Sequence, residues 1–172
     1  ATFQGVHTYL SKHMMVDPLA LAVEAKKLSQ KGVSAPWSLL TIDEDALLIT
    51  PYHRAVNRLK EMRRGDNKHG SCGVGIGECK SHFLRHGKAA PTIGDILRPS
   101  LLKAKLNFNR DAAIEEIGET RNRDNEEYQR LIEMLYSGPD YWLSRYAEEF
   151  TRHAFVKDQS NLDDRMKGEV TI

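Results

Sequence analysis

Between His69 and Glu78 the chain reads His-Gly-Ser-Cys-Gly-Val-Gly-Ile-Gly-Glu, with four glycines in the eight residues 70–77. Such a run suits no regular element and predicts a tight loop. Bare backbone at Gly73, Gly75 and Gly77 lets a ligand come close. Successive amides followed by a helix N-terminus make a cradle for phosphate, to which Ser71 and Cys72 add side-chain donors. The run is not a P-loop, because the Gly-Lys-Ser/Thr ending is missing. It is not a dinucleotide fingerprint either, because basic and polar residues precede it where a buried strand is required. A glycine-rich surface turn accounts for the same composition, so on the residues alone both readings stand. Arg85 and His86, just past the loop, are placed to complete an anion site or to lie on the surface.

The same stretch carries a second pattern. His69-x2-Cys72 and Cys79-x2-His82 are ligand types that zinc prefers, but only six residues separate the pairs, shorter than the usual excursion in a structural site. No metal ligand is assigned. A nucleophilic Cys72 or Cys79 needs a neighbouring base and a lowered thiol pKa. The carboxylates from Asp111 onward have the spacing of solvated helical faces, not of an acid/base pair. No catalytic residue is assigned from the sequence.

The wider composition bounds the function. At 172 residues, with 40% hydrophobic and 28% charged residues, the chain is read as one globular domain, 1–172, which excludes a disordered, collagen-like or membrane protein. No stretch approaches the ~20 consecutive apolar residues of a membrane span, and the N-terminus lacks the order of a signal peptide. A cytoplasmic, reducing location is expected, in keeping with only two cysteines. The first residue is Ala rather than Met, which suggests a trimmed or excised chain. The net charge of +1 hides an asymmetry: residues 50–88 hold nine Lys or Arg against three acids, and residues 111–172 hold fifteen acids against eight bases. The middle is expected to attract anions, and the C-terminal third to be solvated helix surface. Neither nucleic acid nor membrane is expected as a partner.

Elements that would position the loop follow from local signals. Asp17-Pro18 and Thr50-Pro51 are cap-then-proline starts, and Gly32 and Gly65 are stops, giving helices over 18–31 and 51–64. The runs 37–42 and 46–50 are β-prone and predict a small hairpin or two short strands. A short helix over 78–86 follows the loop, and further helices are expected near 99–120, 124–136 and 139–153. Tyr128, Leu131, Ile132 and Leu135, together with Trp142, Tyr146 and Phe150, are read as core. Residues 168–172 look like the start of a buried strand. The fold class is mainly α: a helical domain with a glycine-rich loop and minor β structure.

Five segments in order resemble the adenylosuccinate synthetase family. They are VDPLALAVEAKKLSQKGV at 16–33, LLITPYHRAVNRLKEMRRG at 47–65, HGSCGVGIGE at 69–78, LRHG at 84–87 and IGDIL at 93–97. The resemblance is clearest over 16–105 and weaker over 106–167. It implies that the domain is an internal region of a larger α/β synthetase fold. It also implies a GTP-dependent ligase, requiring Mg2+, that joins IMP and aspartate into adenylosuccinate in purine biosynthesis. In that family the loop and the following turn bind IMP. Carried over by motif, Ser71 and Cys72 stand at the two loop threonines, Gly73, Gly75 and Gly77 at the loop glycines, and Arg85 at an arginine that reaches the nucleotide of the partner in a homodimer. Three departures stand out: Val74 in place of an arginine, Ser71 and Cys72 in place of threonines, and Glu78 in place of a proline.

The family's phosphate loop with its catalytic aspartate, the histidine that acts with it, the Phe-Glu-Gly-Ala-Gln-Gly segment, the aspartate-binding loop and the guanine-recognising Lys-x-Asp do not occur in the sequence. The resemblance therefore implies a piece of a longer enzyme that is inactive alone, with GTP and Mg2+ held mainly by motifs not found here. A stand-alone, non-catalytic module that binds a purine nucleotide is the alternative.

Overall fold

The computed structural model describes residues 2–67, 69–119 and 125–150, and the backbone of 156–157. Among the described residues six α-helices dominate: α1 (Pro18–Gln30), α2 (Pro51–Arg63), α3 (Ile76–His86), α4 (Pro99–Ile117), α5 (Glu126–Tyr136) and α6 (Pro139–Phe150). The expected helices are present, and the mainly helical class with minor β structure holds. The expected ends at residues 120, 124 and 151–153, and the strand expected at 168–172, lie outside the described residues.

The β structure of the described residues is two small parallel sheets. Strands β1 (Thr8–Leu10), β3 (Leu40–Asp43) and β5 (Val156–Lys157) form one in the order β1-β3-β5, while β2 (Met15–Val16) pairs with β4 (Leu47–Leu48) in the other. Of the two arrangements expected at 37–50, short strands form and a hairpin does not. Asp43 turns the chain by accepting the Asp45 amide at 2.9 Å, and β4 then leaves the sheet of β3 for that of β2. Its other side is covered by the segment after Ala90: the Leu48 amide donates to Pro91 O at 3.0 Å and the Ile93 amide to Ala46 O at 2.9 Å. The first half of the β-prone run at 37–42 is instead a 3-10 turn, Pro36–Leu39, since Pro36 is set for a helical first position. The strands β1 and β2 had no periodic signal, being three and two residues long.

α2 is the organising helix. Tyr52, Ala55, Val56 and Leu59 are buried along one face, and it packs against α3, α4 and α5. Tyr128, Leu131 and Leu135 of α5 and Trp142, Tyr146 and Phe150 of α6 complete the same core, with Ile132 packed at its edge. The Tyr52 hydroxyl donates to Ser137 O at 2.8 Å, which ties α2 to the α5–α6 junction. Leu47, Ile49 and Cys79 make a second, smaller cluster beneath α3.

Candidate functional site

The site is built at the N-terminus of α2. Thr50 caps the helix by accepting the His53 amide at 3.2 Å, and His53 Nδ1 accepts the Thr50 amide at 3.1 Å, closing a reciprocal box in which a histidine takes the usual glutamate's place. Asn109 reaches in from α4. Its carboxamide lies 2.5 Å from the Thr50 hydroxyl and 3.0 Å from His53 Nε2, and all three side chains are buried. Asn109→Ala leaves both partners buried with a bond missing, so urea unfolding is expected to show a loss of about 2 kcal/mol. An unchanged midpoint would remove the network from the account of this helix start.

The glycine loop leans on that start. Gly75 adopts φ 87°, and a Cβ there would sit 2.7–2.9 Å from the backbone of His53 and Arg54. Glycine is thus required twice over, for the left-handed backbone and for the close approach. Gly75 is also the N-cap of α3, so the helix begins at Ile76 and Gly77 lies inside it, two residues earlier than the expected 78. The amides of Ile76, Gly77 and Glu78 form the first turn and have no intrahelical acceptor.

Upstream, α2 shapes the loop with side chains. The Ser71 hydroxyl lies 2.8 Å from Asn57 Oδ1 and accepts the Gly73 amide at 3.2 Å. Arg58 Nε donates to Gly73 O at 3.3 Å, and Glu61 accepts the amides of His69 and Ser71 at 3.0 and 3.4 Å. Cys72 is exposed at the loop's crest. Val74 packs against the Leu47, Ile49 and Cys79 cluster. An arginine there would have to leave that apolar seat, so this departure changes packing as well as charge.

Arg85 is held within its own chain: its Nη2 donates to Glu116 of α4 at 2.9 Å and its Nε to Ser81 O at 3.4 Å. Glu116 also pairs with Lys60, which in turn bonds Glu78 at 2.9 Å. Partial burial would raise the Glu116 pKa, but Lys60 and Arg85 outweigh it and hold the carboxyl below the ordinary range. The basic middle and the acidic C-terminal third therefore partly neutralise each other across α2, α3 and α4. Glu116 and Glu127 are partners of Lys60, Arg85 and Arg58, not merely solvated surface.

Beneath this network the His53 and His82 rings lie tilted at 57° with their centroids 5.4 Å apart, and His82 meets His86 at 4.6 Å. Burial, then the positive charge of neighbouring histidine and arginine, pushes His53 down to about 3 and His82 down to about 4, so both rings are neutral near pH 7. The zinc-like quartet does not converge: Cys72 is exposed, whereas Cys79 Sγ lies 3.6 Å from Leu48 O, and burial pushes that thiol up to about 12. A thiol so raised is no nucleophile. Among the described residues no group of three or more His, Cys, Asp or Glu is placed to hold a metal.

Sequence reasoning singled out Ser71, Cys72, the glycines and Arg85; it did not single out Asn57, Arg58, Glu61, Asn109 and Glu116, which the structure places around the loop and the start of α2. Asn57 and Glu61 are four apart on the polar side of α2, a signal that marks a shared face and not what the face holds. Nothing in the spacing links residue 116 to residues 60 and 85.

A family model described as adenylosuccinate synthetase matches residues 2–160. An adenylosuccinate synthetase from Pelodictyon phaeoclathratiforme is 31% identical over 157 residues, covering 85% of this chain and 35% of that protein. One from Mycolicibacterium vanbaalenii is 30% identical over 145 residues, covering 84% and 32%. One from Mycobacterium leprae is 27% identical over 168 residues, covering 98% of this chain and 36% of the relative. The chain spans about a third of the length of the curated relatives it matches.

Proposed function

The chain belongs to the adenylosuccinate synthetase family, and on that premise we propose that it is the helical, nucleotide-binding region of a GTP-dependent ligase of that kind. The activity proposed for the whole protein is the joining of IMP and aspartate into adenylosuccinate. The observation that carries the reading is Gly75, whose left-handed backbone seats the loop on α2 and opens α3 with three amides that have no acceptor among the described residues. Those amides, with the Ser71 and Cys72 side chains, would take the phosphate of a purine nucleotide, because a helix start offers aligned donors and a favourable dipole to an anion. Arg85 is proposed to leave Glu116 and reach the nucleotide of the partner in a homodimer. Its ion pair is half-exposed, so the exchange costs little.

GTP and Mg2+ belong to the proposal only for the whole protein. The glycine loop fits neither: it lacks the P-loop lysine, and among the described residues no acidic cluster is placed for a metal. No step is derived through either. With Val74 in place of the loop arginine and a carboxylate at Glu78, the site holds less positive charge than the family pattern, so it is expected to bind IMP more weakly than a site that carries the arginine.

Calorimetry on the chain tests the reading. IMP or a related purine monophosphate is expected to saturate one site per chain, and Arg85→Leu is expected to weaken binding about tenfold without moving the unfolding midpoint. No saturable binding of any purine monophosphate would overturn it. Val74→Arg is expected to tighten IMP binding, and equal affinity would remove the role given to that position.

A further inference from the structure

Most of the basic surplus in the middle of the chain is already neutralised. Arg54 pairs with Asp17, Arg58 with Glu127, Lys60 with Glu78 and Glu116, Arg64 with Glu61, and Arg85 with Glu116, while Arg63 donates to the carbonyls of Ile117 and Glu119. Among the described residues of that segment, Lys80 and Lys88 alone have neither a carboxylate nor a carbonyl partner. Both line the same cleft of about 650 Å³, outside the glycine loop. Lys12 and His13, from the turn between β1 and β2, enter it from the opposite side of the sequence, and Arg98 and Lys105 enter from the start of α4.

Three separate segments thus bring cations to one concavity, Arg98 being already paired with Glu44 at 3.8 Å. Two acids line it. Asp95 is already committed: its carboxylate accepts the Thr92 amide at 2.8 Å and pairs with Lys105 at 2.7 Å, leaving Lys105 with further N–H donors. Asp45 is exposed on the rim. The floor is apolar, formed by Leu47, Ala90 and the face of Phe83, over which Lys80 Nζ sits at 5.2 Å from the ring centroid. None of residues 71–77 lines the cleft.

We propose that this cleft is a second anion site, for an organic phosphate with a flat apolar body, of the nucleoside diphosphate class. The volume is that of a small-molecule pocket. A planar ring stacks on Phe83 once Lys80 leaves that face for the phosphates, and Lys12, Lys80 and Lys88 then meet two phosphates as point charges. Like charges without partners repel one another, and a polyanion seated among them relieves that repulsion. This site is independent of the loop reading, since the two share no side chain.

The test uses the whole chain with ADP, inorganic pyrophosphate and adenosine as probes in low-salt calorimetry. ADP is expected to bind saturably at one site, at least about tenfold tighter than either pyrophosphate or adenosine. Lys80→Ala with Lys88→Ala is expected to weaken ADP about tenfold or more and to flatten its salt dependence. Both lysines are exposed, so circular dichroism should show an unchanged fold. In a Cys72→Ala, Arg85→Leu background, which weakens the loop, ADP is expected still to bind saturably and to lose that binding when Lys80→Ala and Lys88→Ala are added, which separates this site from the loop. Absence of saturable ADP binding, indifference to the lysine changes, or pyrophosphate binding as tightly as ADP would each overturn the proposal.

Discussion

Gly75→Ala is expected to lower the unfolding free energy by about 3 kcal/mol and to shift the urea midpoint accordingly. Two costs add. A non-glycine residue at φ 87° pays about 1 kcal/mol or more for the left-handed backbone. The new Cβ then lies 2.7 Å from His53 C and 2.8 Å from Arg54 N, backbone atoms in the first turn of α2 that cannot swing aside. Either the loop lifts off or α2 loses its start, and both outcomes disturb the Thr50, His53 and Asn109 network. Gly77→Ala is the matched control. It lies within α3, its φ is not in the left-handed region and a Cβ would meet nothing within 4 Å, so helix propensity predicts a gain of about 0.5–1 kcal/mol. Equal midpoints for the two variants would mean that the approach of the loop to α2 is not rigid.

Acid should unfold the chain early. His53 and His82 have native pKa values of about 3 and about 4, both depressed below the ordinary 6.5 of an unfolded histidine. Between those limits the unfolded chain binds protons that the native chain refuses, so their stabilising effect is complete above pH 6.5 and is lost progressively as pH falls. The two sites interact, and the losses belong to the pair. From pH 7 to pH 4.5 the expected loss is about 3–5 kcal/mol, comparable to the whole stability of a marginal domain. Glu116, held below its ordinary range, adds to the loss in the same direction at lower pH. His82→Phe keeps a ring between His53 and Phe108 and is expected to remove roughly half of the slope. Unfolding free energies that stay level from pH 7 to pH 5 would contradict the burial of neutral imidazoles.

Helix starts were legible because the chain writes them locally. Asp17-Pro18 caps α1 through the Leu19 and Ala20 amides, both at 3.1 Å, and Thr50-Pro51 caps α2 in the same manner. The apolar stripes of α5 and α6 mapped directly onto the core, since a period of 3.6 residues is a property of sequence alone. The glycine loop and its place before α3 were legible for the same reason: its backbone demands are met by residue type at the position itself.

Partners brought from afar were not legible. Whether residues 40–48 would form a hairpin or join two parallel sheets depended on β1 and β2, which lie some 30 residues earlier and carry no period. Strand pairing of that kind is decided by what is available across the fold. Likewise, the sequence showed a basic middle and an acidic end, but only the packing of α2 between α3 and α4 decided that Glu116 would occupy Lys60 and Arg85 and that Lys80 and Lys88 would meet no anion among the described residues. By itself the sequence determined the helices, the loop and the kinds of charge available. The tertiary structure alone decided which charges meet, because ion pairing depends on separations of a few ångströms between side chains that are tens of residues apart in the chain.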